Sequence, residues 1–329
     1  MKLLILGGTR FLGRHIAEQA LAQGHAVTLF HRGRCRPGLL PEAEHRSGDR
    51  NADLQALSGG TWDACIDTSA YLPRQVTAIA EALAGRVGQY QLISSVSVYA
   101  LADGALGADE DSPLQRLPDL LTETVDERTY GGLKALCEAQ AQQAFGATCL
   151  IARPGLIVGP YDPTGRFTWW VQRLLRGGEV LAPGDPATPV QWLDARDAAR
   201  WLLRQAQRGS SGVFNLVGPQ EATTLGEWLT RTGAALNPSA TLHWVAEDWL
   251  LAQGVAPWSD LPVWLPRSMA GLHRTSNRRA VLAGFTALPP EQTVIDVAAA
   301  LADTPVPTGV GLSPRREREL LDAWRARQR

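Results

Sequence analysis

The sequence predicts an α/β fold, a doubly wound parallel β-sheet that carries helices on both faces. Three observations at the start of the chain predict it: an apolar run at residues 2–6, a glycine turn at 7–13 that opens a helical pattern, and a second apolar run at 25–30. Strand, glycine turn, helix and strand in this order form a βαβ unit of the dinucleotide-binding type. A fourth strand with its following loop at 62–70 and a further strand at 90–99 extend the same sheet.

Composition excludes several classes of protein. The 329 residues suffice for two domains or one large one, and the formal net charge of −1 lacks the basic excess of a nucleic-acid binder. No apolar run reaches the length of a membrane span, and the opening run breaks at Gly7, too soon for the core of a signal peptide. We therefore expect a cytoplasmic protein, with no membrane partner and no nucleic acid.

Cysteine usage agrees with a reducing compartment. The four cysteines show neither CxxC nor any other metal-ligand spacing, so we expect reduced thiols and no metal site. They are Cys35, Cys65, Cys137 and Cys149.

The glycine turn is the first candidate ligand site. Glycines let the backbone approach a pyrophosphate, and the following helix offers free N–H groups and the positive end of its dipole. Its position between a strand and a helix makes the motif specific. The candidate cofactor-binding residues are Gly7, Gly8, Thr9, Arg10, Phe11, Leu12 and Gly13.

The end of the second strand predicts which cofactor binds. Sites that prefer NAD place an acid there for the ribose 2′-hydroxyl, but the stretch Phe30–Arg34 contains none. Arg32 and Arg34, joined by Arg10, are candidates for binding a 2′-phosphate through charge-assisted hydrogen bonds. Solvated loop arginines are the alternative in a chain with 30 of them. We favour NADP(H), with NAD(H) as the other possibility.

Three later segments follow strands of the predicted sheet. In such sheets ligands bind at the carboxyl ends of the strands. Asp49 and Arg50 follow the third strand, where Asp49 is placed to hold the adenine amino group. The loop after the fourth strand passes beneath the cofactor, and the next strand ends in hydroxyl side chains, although serine is also a common turn residue. The candidates in these two places are Thr68, Ser69, Ala70, Ser94 and Ser95.

Lys134 is the only lysine besides Lys2, and it follows Tyr130 by four residues. Residues at i and i+4 share one face of a helix, so the two side chains converge there. A lysine ammonium approaches a ribose hydroxyl and a neighbouring tyrosine as a compact charge, which the wide fork of arginine does poorly. A solvated lysine on a helix surface is the plainer interpretation.

These motifs together resemble the short-chain dehydrogenase/reductase superfamily, and within it the extended NAD-dependent epimerase/dehydratase branch. The resemblance covers nearly the whole chain. It includes the signature Ser94–Tyr99 with its hydroxyl at Ser95, the Tyr-x-x-x-Lys signature at Tyr130–Lys134, and a nicotinamide-covering segment at Arg153–Pro160 that includes Pro154. Later segments at 190–197 and 212–218 are also similar.

The sequence departs from the branch in two places. Arg10 replaces the usual middle glycine of the turn, and Arg153–Pro160 lacks the asparagine that sugar-nucleotide members often carry. The turn with Arg10 and the absence of an acid near His31 together resemble a subgroup often labelled isoflavone-reductase-like. Some relatives with this type of glycine turn are associated with RNA in plastids.

The resemblance implies specific roles for the catalytic candidates. Tyr130 exchanges a proton with the substrate oxygen, Ser95 hydrogen-bonds that oxygen, and Lys134 lowers the pKa of Tyr130 while orienting the nicotinamide ribose. Ser95 and Tyr130 therefore also contact the substrate, and Arg166 and Gln191 are further substrate candidates from position alone. A monomer or a homodimer is expected.

The resemblance also implies a Rossmann-type domain and a smaller, mostly helical C-terminal substrate lobe. We assign the first to residues 1–165 with a return segment at about 188–218, and the second to 166–187 and 219–329. Ten of the eleven tryptophans lie beyond residue 150. They suit either a flat apolar substrate or the core of the lobe. We expect the arginine-rich segment at 315–329 to form a solvated terminal helix. A contact with nucleic acid or a partner is the alternative.

The leading hypothesis is an NADP(H)-dependent oxidoreductase that acts on a small carbonyl or alcohol. A sugar-nucleotide epimerase or dehydratase with tightly held NAD is the first alternative. A non-catalytic protein that senses NADP(H) or associates with RNA is the second, and the intact set of Ser95, Tyr130 and Lys134 argues against it.

Overall fold

The computed structural model describes residues 1–34, 38–101 and 107–328, so the predicted reduced state of Cys35 lies outside the described part. Within it Cys65, Cys137 and Cys149 are buried free thiols. The strands are β1 Lys2–Leu6, β2 Ala26–His31, β3 Glu44–Ser47, β4 Trp62–Asp67, β5 Val87–Ile93, β6 Cys149–Pro154, β7 Ile157–Val158, β8 Gly178–Pro183, β9 Pro189–Asp194, β10 Gly212–Leu216, β11 Gly218–Thr224 and β12 Ala240–Val245. The α-helices are α1 Phe11–Ala22, α2 Pro73–Ala82, α3 Tyr130–Phe145, α4 Arg166–Leu175, α5 Ala195–Arg208, α6 Leu225–Leu236, α7 Glu247–Ala252, α8 Arg278–Leu282, α9 Pro290–Ala299 and α10 Pro314–Gln328.

Among the residues that the structure describes, seven parallel strands form the main sheet in the order β10-β6-β5-β4-β1-β2-β3. Helices α1 and α5 pack together on one face, where Ile16 and Trp201 belong to one hydrophobic cluster. Helices α2 and α3 pack on the other face. The chain leaves β1 toward β2 on one side and returns through β4 on the other, so a crevice opens at the carboxyl ends of β1 and β4. The Rossmann-type fold is confirmed.

The predicted strand at 90–99 is wrong in its second half. Strand β5 ends at Ile93, and Val96–Val98 form a 3₁₀ turn. The Ser95 hydroxyl accepts a hydrogen bond from the Ser97 N–H at 3.1 Å, which closes the turn. A serine that bonds to nearby backbone offers the chain an alternative to the strand ladder, and here it ends the strand.

Most tryptophans of the C-terminal half pack into a hydrophobic core. Trp169, Trp170, Trp192, Trp228, Trp249 and Trp264 belong to one buried cluster. The terminal segment forms α10, with Leu320 and Leu321 buried, and a buried ion pair joins Arg173 of α4 to Glu317 of α10 at 2.7 Å. The division into two domains at the residues given above stays a prediction.

Candidate active site

A cavity of about 610 Å³ lies at the carboxyl ends of the central strands. It falls in the size range of small-molecule and cofactor sites. Its wall combines the glycine turn, the ends of β2, β4 and β5, the start of α3 and the end of β6. Most residues that the sequence nominated for the cofactor lie on this wall: Gly7, Thr9, Arg10, Phe11, Leu12, Gly13, Arg32, Arg34, Asp49, Arg50, Thr68, Ser69, Ser94, Lys134 and Pro154.

The glycine turn brings the backbone close to the cavity. A Cβ atom on Gly13 would lie 2.5 Å from the Gly7 carbonyl oxygen, so only glycine permits this contact between turn and helix. Arg10 is the N-cap of α1 and makes no capping bond with its side chain. The first N–H groups of a helix have no partner within the helix, and those of α1 belong to residues on the cavity wall. This arrangement suits a pyrophosphate.

Gly8 has a packing role. It is buried and does not line the cavity, and a Cβ atom there would lie 2.5 Å from the Leu29 side chain. Ala70 is also off the cavity wall and fully buried, but its carbonyl oxygen accepts a hydrogen bond from Lys134.

Arg10, Arg32 and Arg34 form what we call the arginine end of the cavity. All three are exposed and line its wall. Asp49 lies close by: it accepts hydrogen bonds from the backbone and side chain of Asn51, which lower the pKa of its carboxyl, and the charges of Arg32 and Arg34 lower this pKa further. A 2′-phosphate placed here would meet positive charge from several sides.

Arg50 lines the cavity but is held by Asp67. Its guanidinium donates two hydrogen bonds to the Asp67 carboxylate, at 2.7 and 2.8 Å, and a third to the Ser69 hydroxyl at 2.9 Å. The Tyr90 hydroxyl also donates to Asp67 at 2.7 Å. Burial opposes ionisation of Asp67, but the Arg50 guanidinium outweighs it and holds the pKa of this carboxyl below its ordinary value. The pair fixes the loop after β4, which carries Thr68 and Ser69.

Ser95, Tyr130 and Lys134 lie at the opposite end of the cavity, which we call the catalytic end after the role that the sequence predicts for them. Tyr130 is the first residue of α3, so the helix begins at the predicted acid/base, and Ser95 and Tyr130 share a side-chain hydrogen bond. Burial raises the pKa of Tyr130, whereas the bond with Ser95 opposes this rise. That Lys134 lowers this pKa stays a prediction from the resemblance.

Lys134 is 4% exposed and makes two short hydrogen bonds. Its ammonium donates to the carbonyl oxygens of Ala70 at 2.7 Å and Ile93 at 2.6 Å. Burial lowers the pKa of this amine. A lysine ammonium has three N–H donors, so one remains for another acceptor in the cavity. These two carbonyl groups, in the loop after β4 and at the end of β5, therefore fix the position of the Lys134 side chain.

A buried polar network behind the catalytic end was not predicted from the sequence. Glu138, on the same face of α3 as Lys134, accepts a 2.5 Å hydrogen bond from the Ser94 hydroxyl and pairs with Arg153 at 2.7 Å. Arg153 also donates to the Tyr99 hydroxyl at 2.9 Å. Tyr99 in turn donates to the Asn215 side chain at 2.5 Å. These bonds fix the strand end that carries Ser94 and Ser95. Glu138 follows Lys134 by four residues, which was the signal available in the sequence.

The two substrate candidates chosen by position lie off the cavity wall. The side-chain N–H of Gln191 donates a hydrogen bond to the Thr275 carbonyl oxygen, and its side-chain oxygen accepts one from the Thr275 N–H, each at 2.9 Å. Arg166 is half-buried, with its guanidinium 5.3 Å from the centre of the Trp258 ring. Other wall residues were missed by sequence reasoning, among them Phe30, His31, Asn51, Tyr71, Gln75 and Gly155. His31, Asn51 and Gly155 directly adjoin nominated residues, which was a usable signal.

Comparison with known proteins identifies the family. A family model described as the NAD dependent epimerase/dehydratase family matches residues 3–217. The chain belongs to this family.

A plant protein and two solved structures are similar to this family member. The chloroplast stem-loop binding protein of 41 kDa b from Arabidopsis thaliana is 28% identical over 240 residues, or 68% of this chain. The match spans 60% of that relative's length. UDP-glucuronic acid 4-epimerase from Bacillus cereus, in complex with NAD, aligns with a TM-score of 0.67 and 15% identity, covering 92% of this chain and 97% of that one. Human epimerase family protein SDR39U1 (isoform 2), with NADPH, aligns with a TM-score of 0.63 and 20% identity, covering 91% and 99%. At these identities the two structures show a shared fold.

Family membership confirms the predictions of an epimerase/dehydratase-type enzyme and of a nicotinamide cofactor. The isoflavone-reductase-like subgroup and the roles of individual site residues stay predictions. Among the described residues, no group of histidine, cysteine and acidic side chains has the arrangement of a metal site, and no helix is long and apolar enough to span a membrane.

Proposed function

We propose that this family member is an oxidoreductase that uses NADP(H) in preference to NAD(H) and transfers hydride to or from a small carbonyl or alcohol. The observation that carries the proposal is the convergence of Ser95, Tyr130 and Lys134 on one cavity whose far end is lined by three arginines. A pure binding protein has no need for a phenol that is hydrogen-bonded to a serine beside a buried ammonium.

A dinucleotide bound in this cavity would contact both of its ends. The glycine turn and the start of α1 would hold the pyrophosphate, and Arg10, Arg32 and Arg34 would bind a 2′-phosphate. Lys134 has one N–H left for a ribose hydroxyl at the catalytic end. When bound, the cofactor supplies or accepts the hydride.

The protein's own groups handle the proton. Because burial raises the pKa of Tyr130, its phenol is protonated at neutral pH and can donate to the oxygen of a carbonyl substrate. Ser95, bonded to the same phenol, would hold that oxygen beside it. Arg166, stacked on Trp258, stays a candidate substrate contact from the lobe.

Replacing Tyr130 by Phe tests the proposal. The substitution keeps the ring and removes the phenol proton that would pass to the substrate oxygen, so we expect turnover to fall by at least about a hundredfold while NADPH affinity stays within about twofold. The measurement is NADPH oxidation with a panel of small aldehydes and ketones, next to a binding titration. Tyr161→Phe is the matched control, since Tyr161 does not line the cavity.

Three results would contradict the proposal in different ways. Near-normal turnover of Tyr130→Phe removes the acid/base assignment. Conversion of a nucleotide sugar without net NADPH consumption favours an epimerase, the activity in the name of the Bacillus structure. NADPH binding with no turnover of any panel member, together with tight and salt-sensitive RNA binding, favours the role named for the plant relative.

A further inference from the structure

Two histidines hold the turn that carries the arginine pair. His31, the last residue of β2, lines the cavity, and its Nδ1 accepts a hydrogen bond from the Gly33 N–H at 2.9 Å. Gly33 has a φ of 70°, a conformation that favours glycine. The His31 ring thus closes the turn in which Arg32 and Arg34 flank Gly33.

The neighbouring strand fixes the His31 ring. Strands β2 and β3 pair in parallel with Leu29 opposite His45, so His31 and His45 are diagonal neighbours. His31 Nε2 lies 2.9 Å from His45 Nδ1, and His45 Nε2 lies 3.0 Å from the Leu40 carbonyl oxygen. The two rings meet edge to face, with centroids 5.1 Å apart.

The two ends of this chain of bonds determine where its protons lie. A backbone N–H can only donate, so His31 Nδ1 carries no proton, and a carbonyl can only accept, so His45 Nε2 carries one. The bond between the rings therefore runs from His31 Nε2–H to His45 Nδ1. Both imidazoles are neutral, and all four ring nitrogens are used. Burial and the neighbouring His45 both lower the pKa of His31, in agreement with a neutral ring.

We propose that His31 and His45 are positioning residues for cofactor selection. The bonds from Leu40 through both rings to Gly33 hold the Arg32–Arg34 turn in the conformation that binds the 2′-phosphate of NADP(H). The inference rests on the proposed preference for NADP(H). Long arginine side chains lose conformational entropy when they bind a phosphate. A backbone turn that is already fixed loses none on binding, so the total entropy loss is smaller.

Substitutions at His45 test the inference, because His45 is exposed and its replacement leaves the core intact. His45→Leu removes the acceptor for His31. We expect it to weaken NADPH binding by roughly three- to tenfold while NADH binding changes less than about twofold. His45→Asn, whose side-chain oxygen takes the place of Nδ1, should restore most of the preference. His243→Leu, a histidine of β12 in the lobe, should change neither affinity.

A second readout follows the turn itself. The Gly33 amide should exchange its hydrogen faster in His45→Leu than in the wild type, and His45→Asn should restore its protection. Equal weakening of both cofactors, an unchanged NADPH preference in His45→Leu, or unchanged Gly33 exchange would each overturn the role of the histidines. If the wild type itself binds NADPH and NADH equally, the proposed NADP(H) preference fails, and the role of the histidines fails with it. The wild-type titration therefore separates the two failures.

Discussion

The catalytic end and the arginine end of the cavity hold their charges in different ways. Lys134 is buried and bonded to two carbonyls, and the strand end beside it is braced by the buried pair of Glu138 and Arg153. Arg32 and Arg34 are exposed, and the backbone between them is what the structure fixes. Chemistry requires groups held in place before the substrate arrives, whereas recognition of a phosphate tolerates mobile side chains on a fixed turn. The structure therefore fixes side chains at the catalytic end and fixes only the backbone turn at the arginine end.

Loss of the buried ion pair between Glu138 and Arg153 should destabilise the protein strongly. Glu138→Ala leaves the buried Arg153 guanidinium without its carboxylate and removes the acceptor of Ser94. We expect a loss of about 3–5 kcal/mol in the free energy of unfolding, measured by denaturant titration. The exposed pair of Arg315 and Glu319 offers a matched control, and Glu319→Ala should cost less than about 1 kcal/mol. Similar losses in the two variants would show that the catalytic end is not specially braced.

Removing the ammonium tests whether the catalytic end treats both cofactors alike. Lys134→Met deletes the donor that would reach the nicotinamide ribose, which NADPH and NADH share. We expect both affinities to fall by about ten- to hundredfold and by the same factor, since hydrogen bonds to charged groups contribute about 1.5–3 kcal/mol. Paired binding titrations measure this. A loss confined to NADPH would mean that Lys134 discriminates between the cofactors, which would erase the contrast between the two ends.

How much of this the sequence predicts depends on the range of each interaction. The glycine turn and the pair of Tyr130 and Lys134 are local patterns, and the structure brings them to one cavity. The pairs Glu138–Arg153 and His31–His45 join different elements, so they depend on strand register and helix placement that spacing along the chain does not give. The bonds between Gln191 and Thr275 are likewise outside the reach of local patterns, because the two residues lie 84 positions apart.

Replacing Arg32 or Arg34 should have a weaker effect than replacing Lys134, and it should separate the two cofactors. Arg32→Ser or Arg34→Ser should weaken NADPH binding by about tenfold each, because each removes one charge-assisted contact, while NADH binding stays within about twofold. Charges that are exposed to solvent are screened by salt, so the NADPH preference of the wild type should shrink between low and high ionic strength, whereas NADH affinity changes little.

Arg267→Ser, an exposed arginine of the lobe, is the control and should leave both affinities unchanged. An NADPH preference that survives in the Arg32→Ser, Arg34→Ser double variant would place the phosphate elsewhere, and Arg10 would be the next residue to replace. Because the two serines leave Gly33 and its bond to His31 in place, the loss can be assigned to the arginine side chains and not to the turn.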